Sequence, residues 1–202
     1  MTLNNKEEEQ PTIRNVVICG EGGVGKTTLV RTFIKRRFFS KTTMTQGIEI
    51  NMIELKRVRG GTLDLRIMDF SGQDHFRDLV EEDIEALKTL GQEAHVGIVC
   101  FDLSDIDTLE EVPHWSSLLP DIPKLLVGTK GDIDNRPKAE LDELVAPYLE
   151  KENFRNFIPI SAKEDFNSVE AVFVELLQLL LPIDSSEAKD IIKIFDKHQT
   201  SP

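Results

Sequence analysis

The stretch "GEGGVGKTTL" at residues 20–29 follows directly on the apolar run "TIRNVVIC" (12–19). It leads into a segment that places Leu29, Val30, Phe33 and Ile34 at helical spacing. A β-branched strand, a glycine-rich loop and a helix in immediate succession leave few folds open. Gly20, Gly25, Lys26 and Thr27 complete the spacing G-x-x-x-x-G-K-[ST] in the strand-to-helix setting that pattern requires. Small residues over Gly22, Gly23, Val24 and Gly25 let backbone N–H groups turn inward around phosphate oxygens, and the helix N-terminus adds positive partial charge. Lys26 can reach β- and γ-phosphates, and the Thr27 hydroxyl can bind Mg²⁺. The plain alternative is a flexible turn that happens to be rich in glycine.

The rest of the chain alternates in the same way. Strands are expected at 47–58, 62–70, 94–103, 124–129 and 156–162, and helices at 25–38, 107–119, 138–152 and 168–181. The stretch 71–90 opens as a loop and becomes an acid-rich helix, either a solvated face or a docking surface for a basic regulator. Gly60-Gly61 reads as the turn of the one hairpin. This alternation predicts an α/β fold, a doubly wound and mostly parallel sheet with one antiparallel edge strand and helices on both faces. Ligands of such sheets bind at the carboxyl ends of the strands. Residues 1–11 are expected to be a disordered leader, 12–182 the nucleotide-binding domain, and 183–202 a helical extension opening with an Asp184/Glu187 capping pattern.

Three further motifs fall at strand ends. "MDFSGQ" (68–73) places Asp69 where it can hold Mg²⁺ through a water, the Gly72 N–H where it can bond a γ-phosphate oxygen, and Gln73 where it can orient a water. "GTKGD" (128–132) offers the carboxylate of Asp132 to the N1–H and 2-amino group that only guanine presents, with the stem of Lys130 along the base. "SAK" (161–163) can donate the Ala162 N–H to guanine O6. Taken singly, the last two read more simply as solvated turns, and an ATP site remains open if Asp132 is one. Between helix and strand, a loop threonine such as Thr45 can complete the oxygen ligands of Mg²⁺. Phe38 and Phe39 compete as a ring to stack on the base.

In this order the four motifs resemble the small GTPases of the Ras superfamily, over about residues 12–181. "FDLSDIDTLEEVPHW", "IPKLLVGTKGD" and "TQGIEI" resemble its Rab-like and Ras-like branches. The resemblance implies a P-loop NTPase G domain with a six-stranded sheet, GTP and GDP as ligands, Mg²⁺ as cofactor, and slow hydrolysis. It implies switch loops at about 38–47 and 71–81 that bind an exchange factor, a GTPase-activating protein and an effector. Gln73, Lys26, Gly72 and Thr45 take the catalytic places. The implied nucleotide contacts are Gly22 through Thr28, Phe38, Thr45, Gly72, Thr129, Lys130, Asp132, Ser161, Ala162 and Lys163. The metal set is Thr27, Thr45 and, through water, Asp69. The seven-residue step to Thr45 favours Phe38 over Phe39.

Several positions depart from the family. Thr129 replaces the usual asparagine, as in the Rho branch. Met68 and Ile50 stand where Rab proteins carry tryptophan and phenylalanine. No arginine precedes Thr45 to act in cis, and Arg36 and Arg37 are expected to cap or solvate their helix end.

Composition narrows the partners. A net charge of −12 over 202 residues argues against nucleic acid and anionic lipid as electrostatic partners. Two cysteines, each ending an apolar run, suit a reducing compartment. With no lipidation motif and no apolar run of spanning length, the expectation is a cytoplasmic monomer, brought to any membrane by its partners. The competing reading is a nucleotide-dependent scaffold in which hydrolysis plays little part; intact Gly22 and Gln73 speak against it.

Overall fold

The computed structural model describes residues 12–40, 43–73 and 77–199. The expected leader over 1–11 lies outside these residues. Along the chain the elements are β1 (Thr12–Cys19), α1 (Lys26–Lys35), β2 (Ile48–Lys56), β3 (Thr62–Phe70), α2 (Arg77–Thr89), β4 (Val96–Asp102), α3 (Asp107–Glu110), α4 (Val112–Ser117), β5 (Lys124–Thr129), α5 (Lys138–Lys151), β6 (Phe154–Pro159), α6 (Phe166–Leu180) and α7 (Ser185–Gln199).

The six strands form one sheet in the order β2-β3-β1-β4-β5-β6. All neighbours are parallel except β2 and β3, whose hairpin turns at Gly60-Gly61 as expected. Every residue of β4 and β5 is buried, so both faces of the sheet centre are covered. Side chains alternate between two cores with the period of two that a strand imposes. Val16, Ile18, Ile98, Cys100 and Val127 meet α1, α6 and α7 on one face. Val17, Cys19, Val99, Phe101 and Leu126 meet α2, α3, α4 and α5 on the other.

Element ends differ from the sequence reading where a single residue decides. The first helix stops at Lys35 because Arg36 takes a left-handed conformation (φ 56°). Its guanidinium neither caps nor solvates that helix. It bonds Glu170 at 2.6 Å and Asp196 at 2.5 Å and lies 4.0 Å over the Phe166 ring, tying α1 to α6 and α7. The expected helix at 107–119 is two short ones, with Pro113 in the first turn of the second, where its missing N–H costs nothing. The last strand ends at Pro159 rather than 162, since Ser161 and Asp165 pair with each other in a tight turn.

Asp184 does cap α7, accepting the Glu187 N–H at 2.9 Å. This helix buries Ala188, Ile191, Ile192 and Phe195 in the same core as α1 and α6. There Phe33 stacks between Phe173, at 3.5 Å, and Phe195, at 5.6 Å. No single helix among the described residues is long and apolar enough to cross a membrane.

Candidate nucleotide-binding site

The loops after β1, β3, β5 and β6 open into one cleft of about 400 Å³ at the carboxyl edge of the sheet. Gly25 precedes α1 with no side-chain cap, so the first N–H groups of the helix face the cleft lined by Lys26, Thr27 and Thr28. The Lys26 ammonium donates to the Gly20 and Glu21 carbonyls, both at 2.7 Å. An ammonium has three donors, so one remains for a ligand oxygen. Burial holds the Lys26 pKa below the ordinary lysine value, with Asp69 the largest influence opposing it.

Beside this loop, Thr27 Oγ1 donates to Asp69 Oδ2 at 2.5 Å and lies 2.8 Å from Thr45 Oγ1. Three oxygens from α1, β3 and the loop before β2 thus meet at one point. Asp69 is fully buried, and its other oxygen, Oδ1, has no hydrogen-bond partner. Burial pushes its carboxyl up to about 6, against the Thr27 hydrogen bond and the Lys26 charge. Two hydroxyls and one carboxylate are hard oxygen donors, a set that suits Mg²⁺ shared with phosphate oxygens and water. Among the described residues there is no group of three or more His, Cys, Asp and Glu placed to hold a metal ion.

Gly72 closes the phosphate end. A Cβ there would lie 2.1 Å from the Gly20 carbonyl oxygen and 2.4 Å from the Glu21 carbonyl carbon, so the two loops touch through backbone alone. A Cβ on Gly22 would stand 3.3 Å from the Gly72 oxygen and 3.7 Å from the Gln73 Cα. Gln73 itself lines the cleft, as do Phe38, Phe39, Thr43 and Thr45. Both phenylalanines reach it; the Arg37 guanidinium is 4.8 Å over the Phe39 ring.

At the other end, Thr129, Lys130 and Asp132 line the cleft with Ala162 and Lys163. Backbone bonds from Gly131 to Ile160 (2.9 Å) and from Ile160 to Gly128 (2.7 Å) hold the two loops side by side. Ser161 stands behind them, donating to Asp132 Oδ1 at 2.8 Å, while Lys163 lies 3.5 Å from Oδ2. Burial would raise the Asp132 carboxyl, but the Ser161 hydroxyl, its own backbone N–H and Lys163 together hold it below the usual value. Lys130 pairs with Asp102 at 2.5 Å. The Thr129 hydroxyl donates to the Val24 carbonyl, which ties β5 to the phosphate loop, while the Val24 side chain is buried in the core.

Proteins of known family share this chain's pattern. The sequence model of the Ras family matches residues 15–181. The chain belongs to the Ras family. Ras-related protein RabH of Dictyostelium discoideum is 28% identical over 183 residues, 88% of this chain and 86% of that protein. Ras-related protein Rab-7b of Mus musculus is 28% identical over 185 residues, 88% and 87% of the two chains. Ras-related protein rab-11.1 of Caenorhabditis elegans is 29% identical over 181 residues, 87% and 80%. This Ras-family chain is therefore a guanine-nucleotide-binding, GTP-hydrolysing switch of trafficking or signalling, Rab-like in sequence, that works with regulators and effectors.

Sequence reasoning missed a cluster behind the phosphate loop. Glu21, Arg77, Glu111 and Trp115 bond one another across three elements. Trp115 is buried. Its indole N–H still needs an acceptor in the interior, and that need was the available signal.

Proposed function

We propose that this GTPase exchanges GDP for GTP at the described cleft, with Mg²⁺, and hydrolyses GTP slowly until a partner stimulates it. The observation that carries this reading is the meeting of Thr27 and Thr45, which line one cleft with Asp132, with the buried Asp69 beside the phosphate loop. The amides of residues 22–28 and the Lys26 ammonium hold the phosphates. The Thr27 and Thr45 hydroxyls, and Asp69 through a water, would hold Mg²⁺, whose charge offsets that of the β- and γ-phosphate oxygens. The Gly72 N–H and Thr45 engage the γ-phosphate, which orders both switch loops. Gln73 orients the attacking water, and Lys26 and the loop amides stabilise the charge that the transferring group carries. Asp132 selects guanine, Lys130, Lys163 and Phe38 flank the base, the Ala162 N–H bonds its O6, and Ser161 and Thr129 brace these groups.

Switch I (38–47) and switch II (71–81) are the surfaces for an exchange factor, a GTPase-activating protein and an effector. Exposed Met44 and Leu79 on them, with Ile50 and Met52 on β2 between, support an apolar contact there. The protein acts as a monomer.

Mass spectrometry of the nucleotide that co-purifies tests base choice: GDP or GTP is expected, and an adenine nucleotide would sink the guanine assignment. In single-turnover assays Gln73→Leu is expected to hydrolyse GTP slower by roughly ten-fold or more. A partner supplying an arginine accelerates the wild type by about three to five orders of magnitude. An unchanged Gln73→Leu rate removes the role given to Gln73.

A further inference from the structure

Glu21 is the second residue of the phosphate loop, and it carries a carboxylate that does not line the cleft. It is tucked in, 17% exposed, with two donors on one oxygen. Glu21 Oε1 accepts from the Trp115 indole Nε1 at 3.0 Å and from Arg77 Nη2 at 2.5 Å. Arg77 Nη1 reaches Glu111 at 3.2 Å, and its guanidinium carbon lies 5.7 Å from the Trp115 ring centroid. The same residue's backbone does two further things. Its carbonyl accepts from Lys26, and Gly72 presses against it with no room for a side chain.

The chain therefore rests on the phosphate loop at two points five residues apart. Gly72 touches by backbone, and Arg77, the first residue of α2, touches through its ion pair with Glu21. Gln73 directly follows the first of these anchors. Gly72 and Arg77 are thus both set against the phosphate loop before the reaction rather than during it. Trp115 and Glu111 fix the carboxylate and guanidinium in turn, from the packed helix α4 and the residue before it.

We propose that Glu21, held by Trp115 and Arg77, is the positioning residue for Gln73. It sets switch II against the phosphate loop, and it acts on the reaction only through that placement. This rests on the GTPase reading of the cleft. Arg77 serves here as a strut whose charge is met by Glu21 and Glu111, not as a source of charge for the transferring phosphate. Trp115 is the chain's one tryptophan, so its emission reports the state of the strut.

The test compares full-length wild type with Glu21→Gln, Arg77→Met and Arg77→Lys. Three readouts are taken: single-turnover GTP hydrolysis, GDP affinity, and the Trp115 emission of GDP-loaded against GTP-analogue-loaded protein. Glu21→Gln and Arg77→Met are expected to lower the hydrolysis rate roughly ten-fold or more, with GDP affinity changed less than about two-fold. The wild type is expected to show an emission difference between nucleotide states that both variants lose, and Arg77→Lys to recover part of the rate. Glu21→Asp, which keeps the charge, gives an intermediate rate and guards against a variant that fails to fold. A wild type that hydrolyses GTP beside an equally active Glu21→Gln overturns the positioning role and leaves the GTPase reading intact. Faster hydrolysis by Glu21→Gln also overturns it, since a released Arg77 would then be supplying charge. A wild type with no hydrolysis at all strikes down the reading of the cleft, and this role with it.

Discussion

Thr129 carries one hydroxyl where the family's usual residue carries an amide, and that hydroxyl is spent on structure. It is buried, donates to the Val24 carbonyl, and lies 3.1 Å from the Phe101 carbonyl. Thr129→Val keeps the shape and leaves the Val24 carbonyl without its donor, a loss of about 1–3 kcal/mol for a buried group. Because that carbonyl belongs to the phosphate loop, GDP is expected to dissociate about five-fold to about a hundred-fold faster if the whole loss is felt at the site, each 1.4 kcal/mol being ten-fold. Fluorescent-GDP release measures it, and Thr129→Ser is expected to stay near wild type. Asp132 gives a residue-scale prediction with a sign in pH. Its folded carboxyl titrates below the ordinary value of 3.8, so its stabilising contribution is complete above that value and is lost as pH falls through the lower folded pKa. Ser161→Ala removes the hydrogen bond that lowers the carboxyl most. The folded pKa then moves back toward 3.8, so the variant starts from a lower thermal midpoint above about pH 5 and loses less of it than the wild type as pH falls toward about 3. Coincident midpoints across that range would show the Ser161 bond to be idle.

At the scale of elements, α7 behaves as part of the core. Phe195 closes a three-ring stack on Phe33 and Phe173, and Asp196 holds Arg36 at the end of α1. Phe195→Ala is expected to destabilise by about 3 kcal/mol, the low end for a buried aromatic, since its ring lies at the end of the stack. Chemical denaturation with an unchanged m-value checks it. The amphipathic face of α7 was legible because its period is local: Ala188, Ile191, Ile192 and Phe195 fall within eight residues. What covers that face was not, because Phe33 lies more than 150 residues away in sequence. The same physics divides the site. The phosphate loop, "DFSGQ" and "TKGD" were legible because each needs a few adjacent residues at fixed spacing. The meeting of Glu21 with Arg77 and Trp115 is tertiary, and no local spacing encodes it. Arg36 was misread for a related reason, since its partners come from α6 and α7.

On the scale of the whole molecule, the sheet separates two cores, and one cysteine lies in each. Cys19 faces α4, and Cys100 faces the core of α1, α6 and α7. Both are fully buried, which pushes the Cys19 thiol up to about 12 and Cys100 higher still. Thiolate is the reactive form, so neither is expected to alkylate in the native protein at pH 8 over hours. Labelling then requires an opening, and which cysteine reacts first tells which layer opens. In the wild type both are expected to label across one denaturant transition, as the strands β1 and β4 that carry them are direct neighbours in the sheet. Phe195→Ala weakens only the layer over Cys100. In that variant Cys100 is expected to label at lower denaturant than Cys19, with mass spectrometry of the alkylated peptides assigning each site. Cys19 labelling first, or both still labelling together despite a lower midpoint, would mean that α7 stabilises the domain as one unit and not through its own face.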